Sequence, residues 1–311
     1  MQRYIARRIL WLIPVLIGVT VLVFAMMHVV PGDPILLMVQ GFDRTEAIPP
    51  DLLASLRKQF GLDKPIPVQY LRFLLGAVRG NFGVSISRGR KVTDVIKQDL
   101  PFTVELAIGA LAFAVFAGLL AGIIAALRRG TWIDTVTMVG ATWGVAMPNF
   151  WFGLMAIIIF AQILGLFPTS GQGSLKHLVL PSITLGTYSA ALIARLARSS
   201  LLETLNEDYI RTARAKGLAE RAVVYRHALR NALVPVVTVV GIEFGALLGG
   251  AVVTETVFAR RGIGFLMVTA ILGKDFPLAQ ALVLMSALIY VAVNLTVDLL
   301  YGVIDPRIRY Q

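Results

Sequence analysis

The chain has 311 residues, 57% of them hydrophobic and only 15% charged, with a mean hydropathy of +0.77. That exceeds what a soluble domain can bury, since such domains carry about 25% charged residues, and the chain is read as an all-α integral membrane protein. A net charge of +11 invites a nucleic-acid reading, but the basic residues fall between apolar runs rather than along one solvated face, which argues against it. With no cysteine there is no disulfide framework, thiolate metal site or cysteine nucleophile.

Six segments are long enough to span a bilayer, which takes roughly 20 helical residues: 9–30, 102–127, 134–165, 178–198, 233–254 and 278–303. The first follows Arg3, Arg7 and Arg8 like a signal peptide. It is too long for one and ends in Pro31-Gly32-Asp33-Pro34 without a small-residue cleavage site, so it is expected to remain as an anchor (1–30) with its N-terminus inside. Residues 31–100 form the large outer loop. Helical candidates at 50–60 and 68–78, closed by Gly61 and Gly80, predict a small extracytoplasmic subdomain. Its role is open between a cap over the helix ends and a docking surface.

Residues 101–311 form the core membrane domain in this reading. Its third segment carries Pro148-Asn149 at its middle, so it is either one kinked helix or two short ones. One span keeps the basic stretch Asp208–Pro235 inside together with the N-terminus, Arg128, Arg129, Arg307 and Arg309, as cytoplasmic enrichment in cations requires. A single long kinked helix is therefore expected.

The loop 204–235 holds the most informative stretch, DYIRTARAKGLAERAVVYRHALRNALVP. Thr204 and Glu207 have capping-box spacing, Asn206 is a second cap candidate, and Gly217 is a helix stop. Tyr209, Ile210 and Ala213 make one apolar stripe at helical spacing, while Arg211, Arg214 and Lys216 point elsewhere. Such a helix docks in a protein cleft or lies on anionic lipid. The cleft is favoured, because the stripe is narrow and lacks the Trp, Phe and Leu that interfacial helices bury.

The fifth span carries Gly241, Gly245 and Gly249 on one face, the pattern for close helix packing, either within the chain or at a pathway or subunit interface. Glu243 among them must face protein or a water-filled cavity, since a mid-span charge costs about 2.5–3.5 kcal/mol on insertion scales. It is a candidate pathway residue or a hydrogen-bonded structural glutamate. Glu105 is read as a favourable charge one turn from the start of its span, and Asp298 as an anchor near the end of the last. His28, His177 and His227 are scattered and suggest no metal cluster. Phosphate-loop, H-E-x-x-H and G-x-S-x-G patterns are missing, which leaves an enzyme without residues to stand on.

Several blocks in order carry a resemblance: PGDP at 31–34, GLDKP at 61–65, GNFGVS at 80–85, LP at 180–181, EDYIRTARAKG at 207–217, HALRNALVPVVTVVG at 227–241, TETVF at 254–258 and VDLLYGVIDPRIR at 297–309. Over essentially its whole length the chain resembles the B-type permease subunits of bacterial ABC importers for dipeptides, oligopeptides, nickel or glutathione. The resemblance implies a type I importer permease of six transmembrane helices in the bacterial inner membrane, with both termini cytoplasmic. The family's EAA loop falls on Arg211, Thr212 and Ala213, of which only the alanine is kept, with the family glycine at Gly217. It implies a short coupling helix, roughly Glu207 to Lys216 and including Asp208, Tyr209 and Arg214, seated in an ATPase subunit. Implied partners are a C-type permease, two ATPase subunits holding ATP and Mg, and an extracytoplasmic binding protein, with membrane lipid around and no cofactor in this chain. Di- or oligopeptide is the first expected solute. A proton-coupled secondary transporter and a membrane anchoring protein are the rivals from other classes.

Overall fold

The computed structural model describes residues 2–29, 51, 54–55, 57–58 and 63–304. The Pro31–Pro34 segment, most of the 50–60 helical candidate and the arginines at 307 and 309 lie outside them, as do the side chains of His28 and Asp298. The described residues are helical almost throughout: α1 Gln2–Val29, α2 Ile66–Val78, α3 Val92–Leu127, α4 Trp132–Ala146, α5 Asn149–Ala156 with a π continuation Ile157–Ile163, α6 Lys176–Leu205, α7 Asp208–Ala215, α8 Glu220–Ala222, a π segment Val223–Ala228, α9 Leu229–Ala232, α10 Val234–Val257, α11 Ile263–Leu272 and α12 Phe276–Ile304. Helices α3, α6, α10 and α12 are each long and apolar enough to cross a membrane, and α4 with α5 gives a fifth where the bent pair is taken as one span. At 28 residues, α1 is about 42 Å long, sufficient for a sixth.

Two compact units divide the chain, residues 1–102 with 261–311, and residues 103–260. In the first, α1 packs along α12 and meets α2 through Phe24 edge-on to Tyr70, ring centroids 5.4 Å apart. The Thr20 hydroxyl lies 3.0 Å from the Tyr70 hydroxyl. Val92, Val95 and Ile96 share a core with Ile263, Leu266, Ala270, Leu278, Ala281 and Leu282. The outer subdomain expected from residues 31–100 thus shares a core of which two thirds comes from the far end of the sequence. Asp275 fastens it. Its Oδ1 accepts the Leu278 N–H at 3.3 Å, capping α12, and its Oδ2 accepts the Ser85 and Ser87 hydroxyls at 2.6 and 2.7 Å.

The second unit is organised on α6. Small residues recur every fourth position on α3, at Ala110, Ala114, Gly118, Gly122 and Ala126, and this face lies on α6 with almost no gap. A Cβ added at Gly118 would stand 2.7 Å from the Ala190 carbonyl oxygen, and one at Gly122 only 2.5 Å from that of Ala194. Gly186 on α6 is equally close to the Ala110 carbonyl. Matching Ala110, Gly118 and Gly122 to Gly186, Ala190 and Ala194 in rising order makes the two helices parallel. Backbones this close gain dispersion contacts where lipid removes the hydrophobic drive.

The expected single kinked helix of the third span is instead two helices meeting at 108°, broken at Met147, whose extended backbone (φ −77°, ψ 131°) is the conformation that a following proline imposes. Asp134 meets Arg198, Gly144 meets Thr187 and Ala191, Gly153 meets Thr184, and Ala156 and Ile157 share a core with Leu180. The contacts from Arg198 back to Leu180 cover about 27 Å of helix; α4 runs antiparallel to the later part of α6, and α5, turned by 108°, meets its earlier part. Helix α3 begins at Val92 rather than near residue 102, which places Glu105 well inside the helix instead of in its first turn.

Candidate functional site

Helix α7 is eight residues long and follows α6 after a two-residue turn. The proposed caps do not cap it. Thr204 Oγ1 donates to the Ser200 carbonyl at 2.8 Å and Asn206 Nδ2 to the Leu202 carbonyl at 2.9 Å, so both serve the end of α6, and Glu207 precedes α7 without a side-chain cap. Back-bonding to a carbonyl four residues earlier is the alternative such side chains always hold.

The stop at Gly217 is as read. Its φ is +77°, its N–H donates to the Arg214 carbonyl at 2.9 Å, and the Leu218 N–H reaches back to the Ala213 carbonyl at 3.4 Å. These two bonds are those of a Schellman ending. The chain then re-enters helix at Glu220, whose carboxylate takes Arg214 Nε at 3.1 Å and Nη2 at 2.7 Å. This fork lowers the Glu220 pKa and raises that of Arg214, first through the hydrogen bonds and then through charge.

Burial splits the helix into two faces. Ile210 is fully buried and Ala213 nearly so, in one cluster with Ala126 at the end of α3, Leu201 of α6, Val223 and Val224 of the π segment, and Ala228, Leu229 and Ala232. Burying an Ile side chain stabilises by about 1.5–3 kcal/mol, which fixes a helix too short to persist alone. Ile210 and Ala213 of the apolar stripe are therefore spent inside the chain. Asp208, Arg211, Thr212, Arg214 and Lys216 are exposed, and Tyr209, 41% exposed, accepts a hydrogen bond from Asn231 Nδ2 at 2.8 Å. What projects is a rigid, largely cationic face at the shared end of α3 and α6.

At the opposite ends of these helices lies a buried polar group that sequence reasoning passed over. Thr103 Oγ1 donates to Glu255 Oε1 at 2.6 Å, and Arg260 Nη2 donates to Glu105 Oε2 at 2.6 Å. Glu255 and Arg260 are buried. Only the position of TETVF beside Arg260 hinted at this. Glu243, open between a pathway residue and a hydrogen-bonded structural glutamate, is 8% exposed and accepts a hydrogen bond from the Ser189 hydroxyl of α6. Of the three spaced glycines, Gly245 is buried and Gly249 opens onto free space. The tightest backbone approaches are those between α3 and α6, at the G-x-x-x-G of Gly118 and Gly122.

Long apolar helices bearing a docked, exposed cationic helix at one end define a membrane-embedded chain with a polar face at the end of its bundle. The model for "Binding-protein-dependent transport system inner membrane component" matches residues 118–310, and that for the N-terminal part of such membrane components matches residues 1–107. The chain belongs to this family of multi-pass inner-membrane permeases. Among similar proteins are a dipeptide transport system permease, DppB, of Alkalihalophilus pseudofirmus, 42% identical, and a di/tripeptide transport system permease of Pseudomonas aeruginosa, 43% identical. The glutathione transport system permease GsiC of Escherichia coli K12 is also 43% identical, and each match covers 100% of both chains. Among solved structures, an inward-facing MetNI methionine ABC transporter matches with a TM-score of 0.57 at 19% identity, covering 68% of this chain and 96% of that one. The fold is that of type I ABC importer permeases.

Proposed function

We propose that this permease forms half of the translocation pathway for di- or oligopeptides in an ATP-driven importer, beside a second, C-type permease. Two ATPase subunits, holding ATP and Mg, receive the exposed face of α7 in a cleft, and an extracytoplasmic binding protein delivers the solute. The observation that carries the coupling role is the two-faced α7, whose apolar side is anchored in the chain while its polar side stands free at the end of the bundle. ATP-driven closure of the ATPases moves α7, and the shared core hands that motion to the inner ends of α3 and α6. Both termini are cytoplasmic in this reading, because α7 shares its end of the bundle with the cationic Arg128 and Arg129. Peptide is favoured as solute because dipeptide, di/tripeptide and glutathione all appear in the names of the relatives.

The test is co-purification of the chain with an ATPase subunit, followed by uptake of labelled Ala-Ala into proteoliposomes holding the complete importer. Dipeptide-stimulated ATP hydrolysis with uptake supports the proposal. A chain that purifies without an ATPase, or uptake driven by a proton gradient alone, overturns it.

A further inference from the structure

The exposed line of α3 runs through Ile108, Phe116, Leu120, Ile124 and Leu127, and Glu105 continues it at the outer end with its side chain 48% exposed. From Phe102 onward, helix α3 carries no other charged residue. A carboxylate on such a line turns to protein or water rather than lipid. It is held there by Arg260, whose side chain is only 3% exposed. The Arg260 guanidinium spends one N–H on Glu105 Oε2, and its Nε, buried, has no hydrogen-bond partner among the described residues. Ala259 adopts a left-handed backbone at φ 43°, uncommon for a residue with a Cβ. The turn closes with the Arg260 N–H on the Glu255 carbonyl at 2.8 Å. As a stabilising device this is poor: burying a guanidinium is costly, and an ion pair to a half-exposed partner returns little. As a device for fixing the position of one carboxylate it is well made, since a group locked by a buried partner meets its ligand already oriented.

We infer that Glu105 is a specificity-determining residue at the outer end of the pathway, recognising the α-ammonium group of the solute, with Arg260 as its positioning residue. Glu105 Oε1, left free by Arg260, is an anionic acceptor matched to a hydrogen-bonding cation. The inference rests on the peptide reading above, and dipeptides and glutathione alike carry a free α-ammonium.

The experiment uses the complete importer in proteoliposomes with saturating loaded binding protein, comparing wild type, Glu105→Gln, Glu105→Asp and Arg260→Lys. Labelled Ala-Ala and lactoyl-Ala, in which a hydroxyl replaces the α-ammonium, are the probes. Glutamine still accepts from Arg260, so assembly is expected to survive, while loss of a charged hydrogen bond lowers Ala-Ala uptake by about ten- to a hundredfold. The Ala-Ala to lactoyl-Ala uptake ratio falls in Glu105→Gln and is restored in Glu105→Asp, and Arg260→Lys gives an intermediate ratio. A merely structural pair would change both solutes equally. Equal change, unchanged uptake, or loss of the partner permease from Glu105→Gln overturns the assignment. Failure of the wild type to import Ala-Ala instead overturns the peptide reading.

Discussion

Replacing Gly217 tests whether backbone conformation or side-chain space governs the end of α7. A Cβ built at Gly217 has nothing within 4 Å, so the chain itself offers no steric objection to any residue there. The obstacle is φ of +77°, which costs a residue with a Cβ roughly 1–2 kcal/mol, less for Asn and more for a β-branched residue. Relaxing that strain by leaving the left-handed region breaks the two Schellman bonds, each worth about 0.5–1.5 kcal/mol. A cost of about 1–2 kcal/mol lowers the population of the formed stop by roughly five- to thirtyfold. The expected order of damage is Asn, then Ala, then Val, with membrane insertion unaffected. Uptake and solute-stimulated ATP hydrolysis are measured on reconstituted importer, and Gly217→Val should hydrolyse ATP without matching uptake. Ala tolerated better than Asn would show that volume against a bound ATPase decides, and would refute the conformational argument.

Gly122→Ala should lower the melting temperature of the purified importer, since the new Cβ meets a carbonyl at 2.5 Å and overpacking costs about 1–3 kcal/mol. Gly140→Ala, with open space around it, should be neutral or stabilising by helix propensity, so equal effects of the two would contradict the close α3–α6 contact. In this cysteine-free chain, Arg88→Cys should react with an impermeant thiol reagent added outside and Ala219→Cys only after the membrane is opened; reversed labelling overturns the orientation. The Glu220 pKa is lowered in the folded chain, so the Arg214 link contributes above the unfolded value and is lost as pH falls through the folded one. Protection against hydrogen exchange across 206–222, taken relative to the intrinsic rate at each pH, should therefore fall in acid for wild type, and Glu220→Gln should remove that pH dependence; a variant that keeps it would show that another group is responsible. Glu243→Gln should leave complex yield intact, because the amide can still engage Ser189, and a pathway role for its charge predicts altered uptake of charged dipeptides, whereas unchanged uptake of all of them excludes that role.

What the sequence revealed about this site follows from how far each signal reaches. Gly217 was legible because a left-handed residue is a local demand, and Ile210 with Ala213 because a three-residue stripe is set by the helix itself. Pro148 announced a break, but the 108° angle depends on what α6 presents to each half. Thr204 and Asn206 were misassigned because a hydroxyl or amide near a helix junction can serve either helix, and only the positions of α6 and α7 decide. The pairs Glu105–Arg260, Thr103–Glu255 and Ser85–Asp275 join residues more than 150 positions apart, and nothing local marks them. The G-x-x-x-G at Gly118 and Gly122 has the same spacing as Gly241, Gly245 and Gly249, and spacing alone does not tell which set meets a backbone.

The inward anchoring of Ile210 and Ala213 has a consequence for the direction in which information passes. Because these two side chains share one close-packed core with Ala126 and Leu201, α7 cannot shift without the inner ends of α3 and α6, and the reverse is equally true. Linkage between two such sites is reciprocal by thermodynamic necessity. If ATPase closure rearranges the bundle, then any solute or binding protein that favours one arrangement of α3 and α6 must change the affinity of α7 for the ATPase by the same factor. The importer would then report its loading state across the membrane through packing alone, and futile hydrolysis in the unloaded state would be suppressed at the same joint that transmits the power stroke.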